Sequence, residues 1–528
     1  MKNNTESYYR PYQLKLPIEI SKIIDVEDPV LSFREVVDHI DLSKYFADRK
    51  DCRTGRPRCD CVKLLMVVLF AFMEGGFESL RGLEKLCKND IRYMWLLDGM
   101  EAPSFATFGN FIRNELNASI EDIFKEINGY IFAKEGVDTE HVYIDGTKIE
   151  ANANKYTWVW KKSCEKNRRK VFGYISALIK QINEEVLFYY DLKIESREEY
   201  AIEYVEGIMK RFLEATGIDK GNFVKGQGHR KSIEQKQYQK LEEYLNRLKK
   251  YAKHIEICGE NRNSYSKTDH DATFMRVKKD YMGNDQLLPA YNMQAAVCDE
   301  YIAAIRVEQY ASDMDCFIPL MDDFFKIYGK YPKYPVADAG YGSYNNYLYC
   351  EEHGMEKFMK FTMFEKERTS KEYREDPFRA VNFSQNEDGK LVCPGGKTFS
   401  HYKDEPVRGN KYGRTEELYI CENCKGCPLR SKCYKGKSDQ RVVRVNRELT
   451  GFHAEVIDNF ECVHGYLLMV NRCIQSEGTF GSIKWNRWYK RAFRRGFDAV
   501  KLEFLMIACG FNLYKYHNKK LKALTEAA

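Results

Sequence analysis

The stretch Asn471 to Phe497, NRCIQSEGTFGSIKWNRWYKRAFRRGF, sets one carboxylate among cations that recur at helical spacing. Glu477, Lys484 and Arg491 stand seven residues apart, and at 100° per residue they fall within about 40° of one helical face. A single acid among bases on that face predicts a metal-held phosphate; the alternative is a solvated helix laced with ion pairs. Arg487, Lys490, Arg491, Arg494 and Arg495 then follow with no intervening acid, whereas a helix shaped only for solubility mixes its signs. The balance tips toward a polyanion gripped by these cations.

Working outward, 528 residues suffice for two to four domains and a large core, and 44% apolar with 31% charged residues is a globular composition. The net charge of +6 is modest, so the polyanion argument rests on local clustering. The polar opening Met1 to Gln13 lacks the apolar core of a secretory signal. The longest apolar run, Val62 to Met73, is interrupted by Lys63 and falls short of the roughly 20 residues a bilayer requires. A soluble cytoplasmic protein with no membrane partner is expected. Seventeen cysteines, an odd number with no export signal, predict reduced thiols.

Upstream, residues to about 130 read as short helices. Ser32 and Glu35 have capping-box spacing, Leu80, Leu83 and Cys87 form a stripe, and Ser104 precedes the apolar Phe105, Phe108 and Ile112. In HVYIDGTKIE, from His141 to Glu150, the period changes to that of a buried strand, expected to end at Asp145 before the Asp-Gly break. Helical periodicity returns from about Tyr156 to Cys258, with Ile175, Leu178, Ile179, Ile182 and Val186 forming one apolar stripe, and predicts a hairpin of long helices. Two β-rich runs around Asp299-Glu300 predict a hairpin, residues 313 to 328 a helix, and Tyr334 to Ala337 a short strand leading to Asp338. Ser343 is placed to cap the following helix, with Gly354 closing it. Trp485 and Trp488 are expected in the core.

Two acids at strand ends and a third on a late helix can converge if the strands are neighbours. Carboxylates are hard oxygen ligands for Mg²⁺ or Mn²⁺, and two such ions about 4 Å apart stabilise the attacking and leaving oxygens of a displacement at phosphorus. That chemistry belongs to nucleases and strand-transfer enzymes.

Around these acids the sequence resembles a known family. YIDGTKIEANANKY around Asp145, VADAGYGSYNNY around Asp338 and NRCIQSEGTFGSIKWNRWYKRAFRRG around Glu477 resemble the three catalytic blocks of bacterial insertion-sequence DDE transposases. The run from Gly55 to Gly99 and SFATFGNFIR from Ser104 are similar to their N-terminal helical domain. The resemblance implies an α/β fold: a ribonuclease H-like mixed sheet flanked by helices, with an all-helical N-terminal domain, a helical insertion and a small cysteine-rich insertion. It implies that Asp145, Asp338 and Glu477 bind two catalytic Mg²⁺ or Mn²⁺ ions. The implied partners are double-stranded DNA, as transposon ends and target, and a second copy of the chain in a homodimer assembled on DNA. In the subgroup with a tyrosine, arginine, glutamate, lysine signature, Arg472, Glu477 and Lys484 are the matching positions. The tyrosine counterpart is Tyr466 or none, and four residues separate Arg472 from Glu477 where the usual signature has three. Lys484 would neutralise phosphate and Arg472 clamp it.

The expected domains are 1–130, helical, for DNA binding or dimerisation; 131–155, the first catalytic strand; 156–262, the helical insertion; 263–363, the core; 364–447, the cysteine-rich insertion; and 448–528, the C-terminal catalytic helices. In the cysteine-rich part, Cys421, Cys424, Cys427 and Cys433, with Cys393 upstream, supply more thiols than the four a tetrahedral Zn²⁺ site takes. A reduced cluster without metal is the alternative. The reading is a transposase that cleaves transposon ends and joins them to target DNA. Its rivals are a catalytically silent DNA-binding descendant and a ribonuclease H-like nuclease without strand transfer.

Overall fold

A computed structural model describes residues 23–46, 59–225, 230–278, 280, 282–407, 410 and 412–527. The polar opening Met1 to Gln13 and the start of the N-terminal block, Gly55 to Arg58, lie outside the described residues. The first helices are α1 (Pro29–Asp38), α2 (Cys61–Gly75), α3 (Leu80–Asn89), α4 (Ile91–Leu97), α5 (Phe105–Asn114) and α6 (Ile120–Glu135). Ser104 caps α5 as expected, accepting from the Thr107 amide. The capping box expected at Ser32 and Glu35 is displaced: α1 starts on Asp28 with Pro29 at its first position, a stronger start because proline has no N–H to leave unpaired. Ser32 is instead buried, its Oγ 3.0 Å from His517 Nδ1. The apolar run forms α2, buried nearly all round.

Next come β1 (His141–Glu150) and the helical insertion: β2 (Trp158–Trp160), α7 (Lys161–Glu185), α8 (Ile202–Thr216), α9 (Ile233–Cys258) and β3 (Ser264–Ser266). The expected hairpin is α7 against α9, with α8 as a third member. The predicted stripe Ile175, Leu178, Ile179, Ile182 and Val186 is fully buried in the insertion's own apolar cluster. The β2–β3 ladder ties its two ends together.

The central sheet adds β4 (Thr273–Arg276), β5 (Leu287–Cys298), β6 (Tyr301–Glu308), β7 (Tyr334–Ala337) and β8 (Phe358–Met359), with α10 (Phe317–Tyr328) before β7 and α11 (Tyr344–Glu352) after it. Strand β5 runs antiparallel to β1, β6 and β4, while β7 lies parallel to β1 and β8 parallel to β7. The β5–β6 hairpin turns on Asp299 and Glu300 at φ 45° and 69°, the paired left-handed residues of a two-residue turn that matches strand twist.

One expectation fails here: β1 does not stop at Asp145. The ladder with β5 continues from Tyr143 to Glu150. Gly146 is present because the Gln294 amide lies across it, with Nε2 2.2 Å from where a Cβ would sit. The Asp-Gly pair marks a close approach between strands, not a turn.

The cysteine-rich insertion holds α12 (Phe364–Thr369), α13 (Lys371–Arg374), β9 (Ser384–Gln385), β10 (Leu391–Val392), β11 (Thr398–Pro406), β12 (Thr415–Cys421), α14 (Arg430–Cys433) and β13 (Val442–Val445). These strands form a separate antiparallel sheet. The chain closes with α15 (Arg447–Glu461), α16 (Val463–Arg472), a π-helical turn Cys473–Glu477, α17 (Gly478–Gly481), a second π turn Ser482–Asn486, and α18 (Phe497–Ala527). The mixed architecture is α/β, with helices packed on mixed sheets.

Helix α18 unites the two ends of the chain, packing on α2, α6, α1 and β6. One buried apolar cluster runs through the N-terminal helices, the central sheet and α18. Gly510 permits the closest crossing, since a Cβ there would lie 2.5 Å from the Phe72 carbonyl carbon and 2.8 Å from the Met73 nitrogen. Backbone cannot yield as a side-chain tip can, so Gly510→Ala is expected to destabilise the protein by about 1–3 kcal/mol. Calorimetry would read this as a lowered melting temperature, and an unchanged transition would show that the crossing has slack.

Candidate active site

The register of β1 on β7 pairs Tyr143 with Val336. Asp145 and Asp338 each follow two residues later, at the same end of neighbouring parallel strands, where adjacent backbones run about 5 Å apart. The Asp145 carboxyl is pushed up to about 6, by burial first and by Asp338 and Asp313, against the opposing Gly146 amide and Arg472. The phenol of Tyr341, fully buried, is also pushed far up by burial, and Asp313, Asp145 and Asp338 all act on it. Three carboxylates thus act on this one buried phenol.

Asp313 was not singled out from the sequence as a site acid. Its Oδ1 accepts from Lys148 Nζ at 2.6 Å, Asn292 Nδ2 at 2.7 Å and Gln294 Nε2 at 2.9 Å. Asn292 and Gln294 are fully buried, and Tyr341 Oη donates to Gln294 Oε1. This network braces the sheet beneath the Asp338 loop, where a Cβ on Gly340 would lie 3.0 Å from Asp338 Oδ1 and 3.8 Å from Asp313. No local sequence signal marks Asp313, because its partners lie on two other strands.

Glu477 stands further out, with 61% of its side chain exposed and its Oε1 3.5 Å from Arg472 Nη2. Arg472 thus faces Glu477 on one side and acts on Asp145 on the other. The π turn explains the extra residue between them. A hydrogen-bonding pattern of i to i+5 sets residues 472 and 477 one turn apart, as a spacing of four would in an ordinary helix. Among the described residues, no three His, Cys, Asp or Glu side chains are arranged to hold a metal ion.

Lys484 is turned inward. Its Nζ donates to the Lys148 carbonyl at 2.9 Å, and it is lowered to about 8, by burial first and by Lys148 and Lys490, with Asp145 opposing them.

The single helical face drawn from Glu477 through Lys484 to Arg491 does not form. The helix ends at Asn486, Trp488 adopts φ 55°, and the chain doubles back so that Arg491 bridges to Glu150. Two cations expected on a polyanion face are committed to the interior. Arg487 donates to the Phe72 and Met73 carbonyls at 2.9 and 2.8 Å, closing the C-terminus of α2, and Arg494 lies 3.9 Å from the fully buried Glu503. Arg491 reaches Glu150 and the Ala151 carbonyl, and Arg495 donates to the Asn152 carbonyl at 2.6 Å; both keep exposed surface. Lys490 sits 3.6 Å from the Trp485 ring centroid and 4.8 Å from that of Trp488. Those tryptophans are 46% and 75% exposed, so the expectation of core packing fails: the reversal at Trp488 swings them outward.

Residues 392–517 match a family model described as a transposase DDE domain, and residues 18–114 one described as a transposase domain (DUF772). The first match takes in Glu477 and the cysteine cluster, while Asp145 and Asp338 fall outside both. No curated protein and no solved structure matches the chain. No helix among the described residues is long and apolar enough to cross a membrane.

Proposed function

Proceeding from the two family matches, which support an insertion-sequence DDE transposase, we propose that the chain cuts transposon-end DNA and joins the freed end to target DNA, with Asp145, Asp338 and Glu477 as its acids. The observation that carries this reading is the gathering of Asp145 and Asp338 on neighbouring parallel strands, with a pKa near 6 at the first. The strand order β6-β5-β1-β7-β8, three antiparallel and then two parallel, supports a ribonuclease H-like core.

The residues fit a divalent cation. A half-buried carboxyl raised by desolvation and by neighbouring carboxylates is incompletely compensated by Arg472, and carboxylate oxygens are the ligands Mg²⁺ or Mn²⁺ prefers. A cation held by Asp145, Asp338 and Glu477 supplies charge neutralisation at the scissile phosphate and at the attacking oxygen. Arg472 orients Glu477 toward the acid pair and offers its remaining donors to a phosphate. Lys484, fixed by the Lys148 carbonyl, adds positive charge beside Asp145 while it stays protonated, below about pH 8. Lys490, Arg491 and Arg495 remain for the DNA backbone, which predicts affinity that falls steeply with salt. Trp485 and Trp488 offer aromatic faces beside them. Double-stranded DNA is the partner, and two copies of the chain assemble on it.

Glu477→Gln tests the reading with least disturbance, because an exposed side chain is changed isosterically. The variant is expected to bind end DNA within about twofold of the parent and to lose Mg²⁺-dependent nicking. Nicking that persists in the variant would remove Glu477 from the acids. A parent that binds but never nicks would favour a silent DNA-binding descendant, and a parent that cuts without joining would favour a nuclease.

A further inference from the structure

The cysteine-rich insertion poses a problem of stability. Its sheet contains two strands of only two residues, β9 and β10. Among the described residues, its buried apolar cluster has, besides two thiols, only Phe383, Leu391, Phe399, Tyr419 and Val443. A unit of roughly 80 residues with so small a core ordinarily needs a covalent or metal staple. The cysteines supply no covalent one, since all five are free thiols.

Four of those thiols are gathered on one side of the sheet. Cys421, at the end of β12, is fully buried and shares one apolar cluster with Cys424 and Cys393; burial and these two neighbouring thiols push its own thiol up. Cys393 and Cys427 flank Gly395, where a Cβ would stand 3.8 and 3.2 Å from their Sγ atoms. A Cβ there would crowd the Cys427 Sγ and make ordinary contact with that of Cys393. Gly396 and Gly426, at φ 70° and 73°, turn the chain tightly beside Cys393 and between Cys424 and Cys427. Cys433 differs: Arg441 Nη1 donates to its Sγ at 2.8 Å while Nη2 donates to the Phe378 carbonyl.

We propose that Cys393, Cys421, Cys424 and Cys427 form a tetrahedral thiolate site for a structural Zn²⁺, with Cys433 left outside it. Among the described residues these side chains stand apart from the geometry of a formed metal site, so binding must pull them inward. On binding, the four thiol protons pass to solvent and four Zn–S bonds of about 2.3 Å form. The site ties the ends of β10 and β12, the strands on either side of β11, to one another, and it stands independently of any catalytic role.

The full-length chain, purified without chelator, is expected to carry about one zinc per chain and no iron. Co²⁺ added to the metal-free chain should give the intense visible bands of a tetrahedral thiolate complex, displaced by equimolar Zn²⁺. Cys427→Ser should lower zinc content about tenfold or more, and Cys433→Ser should leave it unchanged. Should Cys427→Ser fail to fold, the cobalt spectrum of the parent chain still decides the matter. Four results would overturn the proposal: iron with labile sulfide, a weak octahedral cobalt spectrum, a Cys421–Cys424 disulfide in non-reducing mass spectrometry, or zinc lost with Cys433→Ser but kept with Cys427→Ser.

Discussion

Asp145→Asn is expected to abolish DNA cleavage while making the metal-free protein more stable above about pH 6. The loss of activity should be on the order of 10³-fold or more, the scale seen when one charge-stabilising group is removed from a reaction centre. The stability gain follows from the raised carboxyl. In the folded chain Asp145 holds its proton to about 6, against an ordinary value of 3.8. Its contribution to folding is therefore fully present below about pH 4 and is lost as pH rises through 6. Above that pH the parent carries a half-buried carboxylate beside Asp338 and Asp313 at a cost of about 2–3 kcal/mol, at 1.4 kcal/mol per unit. Asparagine cannot ionise, and its amide oxygen can still accept from the Gly146 amide. Melting curves from pH 4 to 8 without metal should thus diverge with rising pH, the variant above the parent. Added Mn²⁺ should raise the parent's transition and leave the variant's unmoved. A variant that melts below the parent at pH 8 would refute the picture of a strained acid pair.

Glu503→Ala is expected to be the most destabilising single change in the C-terminal region. The carboxylate is fully buried in α18 and gathers the reversed segment after Asn486. Tyr489 Oη donates to it at 2.5 Å, and the Phe493 and Arg494 amides donate at 2.9 and 3.0 Å. Truncation would leave these donors and the Arg494 guanidinium without an acceptor, at a cost of about 3–5 kcal/mol. Glu503→Gln keeps the acceptor oxygen and should cost less. The consequence reaches the active site, because the same segment carries Arg491 and Arg495, which pin residues 150–153 at the end of β1. Hydrogen exchange should show the Phe493 and Arg494 amides losing protection in the alanine variant. Retained protection would mean that the segment is held by its other contacts, such as the stacking of Phe77 on Phe493 at 3.7 Å.

The elements that sequence reading recovered are those whose cause lies within a few residues. Ser104 and Ser343 cap helices because the amides they accept from are three positions on. The hairpin at Asp299-Glu300 follows from two adjacent residues, and the stripe from Ile175 to Val186 from a period of one helix. The acids Asp145 and Asp338 were likewise legible as the ends of two apolar runs. Where reading failed, a distant partner had changed the outcome. Gly146 looked like a turn because Gln294, which occupies its side-chain space, is far along the chain. Ser32 looked like a cap, but His517 takes its hydroxyl.

The sequence by itself determined the caps of α5 and α11, the β5–β6 hairpin and the long helices of the insertion, and it marked the three acids and the thiols as candidates, since backbone preference and apolar periodicity act between neighbours. Only the tertiary structure decided which charges face solvent. Arg487 and Arg494 lie in the same basic run as Arg491 and Arg495, yet the carbonyls of α2 and the carboxylate of Glu503 draw the first two inward. A guanidinium goes wherever unpaired acceptors are buried, and where those acceptors lie is fixed by packing between segments hundreds of residues apart.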